Sequence, residues 1–453
     1  MRPRTVIRAD RRHGDGPADQ RNAFERDRDR VLYSTALRRL AGITQVVGAA
    51  EGHIFHNRLT HTLEVAQLAR RLAQKLRTEQ AEVAEGVGGV DPEVAEAAAL
   101  AHDLGHPPFG HVAEEELNRI IADDLKIDDG FEGNAQTFRV VTRLSVRHLD
   151  HPGQNLTRAT LNAVLKYPWF RGRRGFKAKK FGAYPTEGTD FHFARELQSS
   201  VAHLAKGAEA EIMDWADDIA YAVHDMEDFF RAGFIPLERL MDESDDELER
   251  FIEGTFNRWR LEKFRPVRKH SDEELREAVT DLMDQLRHTQ RIAEPYAGTR
   301  EQRARLRSLT SLLISRYIPA ITLKKPDRTD ARAVAIQREA EQEITMLKQL
   351  TWFYVIQRPS LAAQQLGQKR VVCDLFEIFH RATESVTGRD VLPVGARQFL
   401  DEALTTIKTQ EVEALRARVA ADVVCNLSEQ QAIALHQRLT GVDPGSVLYG
   451  IIP

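Results

Sequence analysis

Residues 97–111 read AAALAHDLGHPPFGH, and this stretch limits the fold more than any other. Its alanines and Leu100 predict a helix that is apolar all round, which only a buried position tolerates. Gly105 then breaks the helix, and Pro107 and Pro108 hold the exit open. His102, Asp103, His106 and His111 therefore gather where a buried helix ends. His102 and Asp103 can reach one ion together, and imidazole with carboxylate suits a hard or borderline divalent metal. The dipeptide alone is a weak signal. With 16 histidines in the chain, about one His-Asp pair is expected by chance, and a second, His224–Asp225, occurs. The plainer reading is a helix C-terminus whose dipole favours a cation. Two ligands do not complete a coordination shell, so the question is what other helices bring.

From about Asp27, VLYSTALRRLAGITQVV reads as helix, with Arg38, Arg39 and Gln45 near its end. Taken singly, these three belong to a solvated face. In residues 56–76, Leu59, Leu63, Ala66, Ala69, Leu72 and Leu76 step by three or four, an amphipathic helix. His61 lies in its first turn, off that stripe, and Arg58 shares its face. Alone, His61 reads as a satisfied core histidine. Residues 77–91 read as a loop. After Pro108, HVAEEELNRIIADDL reads as helix, with His111 and Glu114 one turn apart. At that spacing a carboxylate can orient a general base; an ordinary exposed pair looks the same.

Residues 166–180, KYPWFRGRRGFKAKK, hold seven Lys/Arg interleaved with Tyr167, Trp169, Phe170 and Phe176. Glycine and proline make this a loop. It reads as a phosphate grip over an active site, as a nucleic-acid patch with stacking aromatics, or as a solvated basic loop. Residues 208–233 give a clean apolar stripe of Ile212, Ala216, Ile219, Val223, Met226 and Phe230. The other side carries Asp214, Asp217, Tyr221, Asp225 and Asp228 in a regular row, which a plain acidic surface seldom shows. Residues 235–453 are mostly helical by pattern, with charge-rich, surface-like segments at 300–316 and 330–348. The stretch from Trp352 is apolar and reads as packing on the first half. No strand pattern and no phosphate-cradling Gly-rich loop is found, which argues against a Rossmann or P-loop nucleotide fold.

The 453 residues suffice for a large core and one to three domains. A net charge of −4 gives no general pull toward nucleic acid. No run of apolar residues is long enough for a membrane span, and MRPRTVIRADRRHGDG has no apolar core of a secretory signal. Cys373 and Cys425, the two cysteines, offer neither a disulfide framework nor zinc-cluster spacing. These features together predict a cytoplasmic protein.

The candidates now converge. His61 on one helix, His102 and Asp103 on a second, and an aspartate of residues 208–233 make two imidazoles and two carboxylates. Such a set leaves an octahedral ion positions for water and a substrate oxygen. Spread over helices as H…HD…D, it resembles the HD-domain phosphohydrolases. RRLAGITQV, NRLTHTLEVAQLAR, AHDLGHPPFGH, FEGNAQ, LKYPW and DWADDIAYAVHDMED look like the successive motifs of the deoxyguanosinetriphosphate triphosphohydrolase-like (dGTPase) family. The likeness is strong over residues 24–235 and continues more weakly through residues 352–380.

The resemblance implies an all-α fold: a flexible segment at 1–22, an HD-domain catalytic core at 23–235 and C-terminal helices at 236–453 packed on it. It implies a metal-dependent hydrolase, with Mn²⁺ or Mg²⁺, that takes a deoxynucleoside triphosphate to deoxynucleoside and intact triphosphate. Carried over, His61, His102, Asp103 and Asp217 would be metal ligands. His111, polarised by Glu114, would be the catalytic pair, with His106 close by. Arg58, Lys166 and Tyr167 would hold phosphate oxygens, and Gln45, Tyr221 and Asp225 would contact the sugar. Helical geometry favours Asp217 over Asp218 only slightly; the family pattern, Tyr at the fourth following residue and Asp at the eighth, selects Asp217. The family forms hexamers or tetramers, so a homo-oligomer is expected. Two departures, Ala113 where members often have Gly and His56 where Arg is common, leave phosphate affinity open. Two other readings remain: an HD phosphohydrolase of another nucleotide phosphoester, and a nucleic-acid-binding protein with a structural metal site, for which the 166–180 loop would supply weak binding.

Overall fold

The computed structural model describes residues 7–14, 19–46, 56–172, 179–197, 204–261, 269–290, 292–327 and 330–443. The helices run α1 Ala23–Leu32, α2 Thr35–Arg39, α3 Arg58–Glu79, α4 Ala81–Gly86, α5 Pro92–Ala101, α6 His111–Asn118, α7 Gly133–Arg139, α8 Arg158–Val164, α9 Gly188–Arg195 and α10 Ala208–Arg231. They continue as α11 Leu237–Leu240, α12 Glu247–Leu261, α13 Asp272–Gln290, α14 Arg300–Ala320, α15 Arg338–Thr351, α16 Pro359–Ala382, α17 Val394–Leu404, α18 Val412–Cys425 and α19 Glu429–Leu439. Among the described residues the chain is all-α but for one ribbon, in which β1 (Ile321–Leu323) pairs antiparallel with β2 (Val334–Ile336).

Helix α5 sits at the centre, against α1, α3, α8 and α10. Its alanines let four neighbours approach closely, and Val94, Ala95 and residues 97–101 are all buried. Asp91 caps its start by accepting the Glu93 N–H at 2.9 Å, and Pro92 opens the first turn, where its missing N–H costs no hydrogen bond. Helix α10 lies across α3, α5, α8, α14 and α15. The stripe expected from its sequence, from Ile212 to Phe230, is buried throughout.

The largest core runs continuously from Val31 to Val355, so it crosses residue 235. A second core joins Phe109, Ala113, Leu117, Ile120 and Phe131 to α16, α18 and α19. The segment bearing α6 is thus packed against C-terminal helices rather than against α5.

Several local expectations need correction. The first predicted helix breaks at Tyr33, where Ser34 caps a separate α2. Residues 77–91 are mostly helical, as α3 and α4, before the turn at Gly88 and Gly89. On α3 the buried face runs through Arg58, His61, Thr62, Val65, Leu68 and Leu72, whereas Leu63 is exposed. His61 is therefore on the inward face, because this helix buries polar side chains that a hydrophobicity pattern treats as outward. Residues 7–14 are held in place: Arg11 forms a buried ion pair with Asp27, and Arg158 N–H donates to Asp10 O at 2.8 Å. The absence of strands was overstated by the one ribbon, which Glu211 fixes by accepting the N–H groups of Ala333 and Val334 at 2.9 and 2.7 Å. Residues 330–348 are not all surface, since α15 buries Ile344, Met346 and Leu347.

Arg139 joins α7 to the C-terminal helices. It is 1% exposed and donates to Glu187 at 2.7 Å and to Asp422 at 2.7 Å. Removing the cation leaves two buried carboxylates without it, so Arg139→Met is expected to cost about 3–5 kcal/mol of stability. Urea unfolding monitored by circular dichroism measures this; a loss under about 1 kcal/mol would show that the carboxylates find other partners.

Candidate functional site

Helix α5 delivers His102 at its C-terminus and α3 delivers His61 in its first turn. The His102 Nδ1–H donates to Ala99 O at 2.6 Å. A carbonyl can only accept, so this bond fixes the proton on Nδ1 and leaves a lone pair on Nε2. That Nε2 is buried without a hydrogen-bond partner, 3.4 Å from Asp103 Oδ2 and 3.7 Å from Asp217 Oδ1. His61 Nε2 lies 3.0 Å from the same Asp217 oxygen. His61, His102 and Asp103 offer ligand atoms within 4.8 Å of one another. An orphaned imidazole lone pair facing a second imidazole and two carboxylates is the donor set a divalent cation fits.

The carboxylates are held ionised although Asp103 is buried and Asp217 half-buried. Burial pushes Asp103 up, but Arg58 beside it, with His102 and His106, outweighs this and holds it well below the usual carboxylate range. The Arg58 Nη1–Asp103 Oδ2 distance is 2.6 Å. For Asp217 burial is again opposed, chiefly by Lys166, whose Nζ donates to Oδ2 at 2.8 Å, and the carboxyl is held well below its ordinary value. Asp218 points elsewhere, to Lys348 Nζ at 2.5 Å. His106 contacts Asp103 Oδ1 at 3.0 Å, and burial together with Arg58 pushes its pKa down to about 4, so it is neutral at neutral pH.

Beside this cluster, His111 Nδ1–H donates to Glu114 Oε2 at 2.8 Å while its ring remains largely exposed to the cavity. Glu114 is buried, and Lys180 Nζ binds its other oxygen at 2.9 Å and Glu132 at 3.0 Å. Burial raises Glu132 to about 7, with Lys180 opposing. The turn that brings His102 and His106 here needs a glycine: a Cβ on Gly105 would lie 2.1 Å from Thr137 N of α7.

A cavity of about 650 Å³ opens above these groups. Of the residues singled out from sequence, Gln45, Arg58, His102, Asp103, His106, His111, Lys166, Tyr167, Asp217 and Tyr221 line it. His61 and Glu114 stand behind this wall, touching Asp217 and His111. Asp225 does not line it; it is buried one turn beyond Tyr221, with Oδ2 unpartnered and its carboxyl raised by burial and by Asp228. Gln45 Oε1 is also buried without a partner. His56 is held as a cation by two carboxylates. Burial lowers its pKa, but its bonds to Asp228 at 2.6 Å and Glu64 at 3.0 Å outweigh that and raise it to about 10.

Sequence reasoning did not single out Thr44, Asn134, Lys348, Trp352 or Gln368, which also line the cavity. Lys180 and Glu132 were seen only as parts of motifs. In the basic loop, Trp169 is buried with Nε1–H on Lys180 O at 2.8 Å, and Phe170 packs on Phe191 at 4.5 Å. These rings are committed to packing rather than displayed for stacking with bases; Phe176 lies outside the described residues.

Comparison with known proteins identifies the family. The HD domain model matches residues 58–166, and a phosphohydrolase-associated domain model matches residues 334–438. The chain is 37% identical over 444 residues to a deoxyguanosinetriphosphate triphosphohydrolase-like protein of Streptomyces coelicolor, covering 93% of each chain. Its identity to the protein of the same description from Corynebacterium efficiens is 34% over 467 residues, 98% of this chain and 99% of the relative. For that of Bifidobacterium longum it is 35% over 436 residues, 92% and 83%.

Because Asp217 faces both imidazoles and Asp218 faces Lys348, the two variants are expected to differ. Asp217→Ala should lose bound divalent metal and Asp218→Ala should retain it, read by elemental analysis of the purified proteins. The reverse pattern would reassign the pair.

Proposed function

The chain belongs to the deoxyguanosinetriphosphate triphosphohydrolase-like family of HD-domain phosphohydrolases, and from that membership we propose that it hydrolyses deoxynucleoside triphosphates to deoxynucleoside and intact triphosphate. The observation that carries this reading is the convergence of two imidazoles and two carboxylates beneath a cavity whose wall also bears His111, Arg58 and Lys166. His61, His102, Asp103 and Asp217 would hold a divalent ion. Such an ion, when bound, polarises a phosphoryl oxygen and acidifies a bound water.

The chain's own groups supply the rest. Water attacks the α-phosphorus, the bond to O5′ breaks, and a proton must leave the water while another reaches O5′. His111 can handle both. Its Nδ1–H is tied to Glu114, so Nε2 carries the lone pair that takes the first proton; the resulting imidazolium, stabilised by the buried carboxylate, returns one to the leaving oxygen. His106, neutral and buried, lies beside Asp103 with Nδ1 3.0 Å from Oδ1. Arg58, Lys166 and Tyr167 line the cavity as partners for phosphate oxygens. Tyr221, with Lys348 over its ring, and the unpartnered Gln45 oxygen are the groups offered to the sugar. A ring against C2′ leaves no room for a ribose hydroxyl.

With Mn²⁺ or Mg²⁺ and each of the four deoxynucleoside triphosphates, the expected products are deoxynucleoside and triphosphate, resolved by ion exchange. Deoxynucleoside monophosphate and pyrophosphate as primary products would rule the reaction out. GTP should be turned over more slowly than dGTP by roughly tenfold to a hundredfold, the effect of burying an unmatched hydroxyl at about 1–3 kcal/mol; equal rates would remove Tyr221 from sugar selection.

His111→Ala should lower kcat by about 10²–10⁴ and leave metal content unchanged. Loss of the metal in this variant would make His111 a ligand rather than a proton carrier.

A further inference from the structure

We infer that Glu429, in the C-terminal helices, is a positioning residue that sets the two chain segments carrying Gln45 and His111 around the cavity. This rests on the roles proposed above for those two residues. Glu429 opens α19 and is 8% exposed. Its Oε1 accepts the N–H of Thr44 at 2.8 Å and the N–H of Phe109 at 3.1 Å. Its Oε2 accepts the Thr44 hydroxyl at 2.8 Å. One carboxylate thus joins two segments that are 65 residues apart in sequence (109 minus 44), from a helix more than 300 residues further on.

Both segments lead directly into the site. Thr44 precedes Gln45 and bridges to Asn57, the cap of α3, while Arg58 N–H donates to Ile43 O at 3.1 Å. Shifting Thr44 therefore moves the turn that bears Arg58 and His61. Phe109 is the penultimate residue before His111 and has φ +66°, a left-handed conformation that costs a non-glycine residue energy unless its surroundings fix it. The Glu429 oxygen on its N–H is such a restraint. The two segments also touch: a Cβ on Gly110 would lie 3.0 Å from Arg58 Nη2 and 3.7 Å from Thr44 O.

The turn before Glu429 is wedged into the same place. Arg39 donates to Leu427 O at 3.2 Å and to Leu104 O and His106 O at 2.8 Å each. The Cys425 thiol donates to Gly105 O at 3.1 Å. A Cβ on Gly42 would meet the Ser428 Cβ at 2.8 Å. Residues 425–429 therefore contact both walls, and within that turn Glu429 alone supplies a carboxylate to their main chain.

The experiment compares full-length protein with Glu429→Ala and Glu429→Gln. Hydrogen–deuterium exchange is followed in peptides spanning residues 42–46 and 107–111, with α5 peptides as reference, alongside kcat, KM and metal content. In Glu429→Ala the two peptides should exchange at least about tenfold faster while α5 is unchanged, and kcat should fall at least about tenfold at unchanged metal content. Glutamine keeps one acceptor oxygen and should restore kcat to within about threefold. Unchanged exchange in both peptides overturns the inference. So does faster exchange with wild-type kcat, or acceleration spread evenly through α5, which would be general destabilisation. If Glu429→Ala does not fold, selective acceleration at residues 42–46 and 107–111 in Glu429→Gln, whose neutral oxygen accepts more weakly, decides in its place. If the wild-type protein hydrolyses no deoxynucleoside triphosphate, the proposed function falls, and the exchange comparison still decides whether Glu429 holds the two segments.

Discussion

Two carboxylates that must stay ionised at the floor of a cavity, one buried and one half-buried, set the terms for this molecule. Asp103 is buried and Asp217 half-buried, its side chain 20% exposed, and a carboxylate left unpaired in such a place would take up a proton more readily. Arg58 answers the first and Lys166 the second. The two cations come from different elements, Arg58 from the start of α3 and Lys166 from just past the end of α8. Helix α5, between them, brings the Asp103 turn, and α10 brings Asp217. The packing of α3, α8 and α10 on α5 is therefore also the assembly of the charge pairs. This explains why the central helix is so rich in alanine: four elements must approach one another closely enough for side chains of ordinary length to meet.

The C-terminal helices act on the same constraint from further away. The second core covers α6, so His111 sits on a helix whose buried face belongs to α16, α18 and α19. Trp352, Ile356 and Gln368 close the cavity on that side. Arg139, with Asp422 and Glu187, fixes α7, and α7 in turn supplies Thr137, whose hydroxyl accepts the Gly105 N–H and donates to His102 O at 3.1 Å. Both segments matched by family models, 58–166 and 334–438, contribute residues to the one cavity, together with residues 44–46, Asp217 and Tyr221 that lie outside them.

What could be read from the sequence was what is local. His102 and Asp103 are adjacent, His111 and Glu114 are one turn apart, and the α10 stripe repeats regularly over many turns; each pattern survives into the structure because neighbouring residues on a helix have fixed relative directions. The α3 face was misread for a physical reason. A helix that buries Arg58, His61 and Thr62 around a polar site does not follow hydrophobic periodicity, so Leu63 was assigned inward and His61 off the stripe. The contacts of Glu429, Lys348 and Arg139 join residues far apart in sequence, and nothing in a charged residue's own neighbourhood distinguishes a buried tie from a solvated face. Arg11 shows the same blindness at the N-terminus, where a charged segment reads as mobile although its cation is buried on Asp27.

The way the cations are shared bears on how the polyanion of the proposed reaction could enter a cavity whose Lys and Arg are mostly paired with carboxylates. Lys166 is divided between Asp214 and Asp217, and Lys180 between Glu114 and Glu132. Each ammonium has three donors and faces two carboxylates, so it can turn one N–H toward a phosphate oxygen without leaving both acids unpaired. Arg58 likewise engages Asp103 through Nη1 and itself lines the cavity. Glu132, held near pKa 7 by burial, can take up a proton if Lys180 shifts its charge toward phosphate. The carboxylates thus act as provisional partners that keep the cations ordered. A polyphosphate of the kind the proposed reaction requires would exchange partners with these carboxylates within the site and bring few uncompensated charges into it, because the cations that line the cavity are already in place.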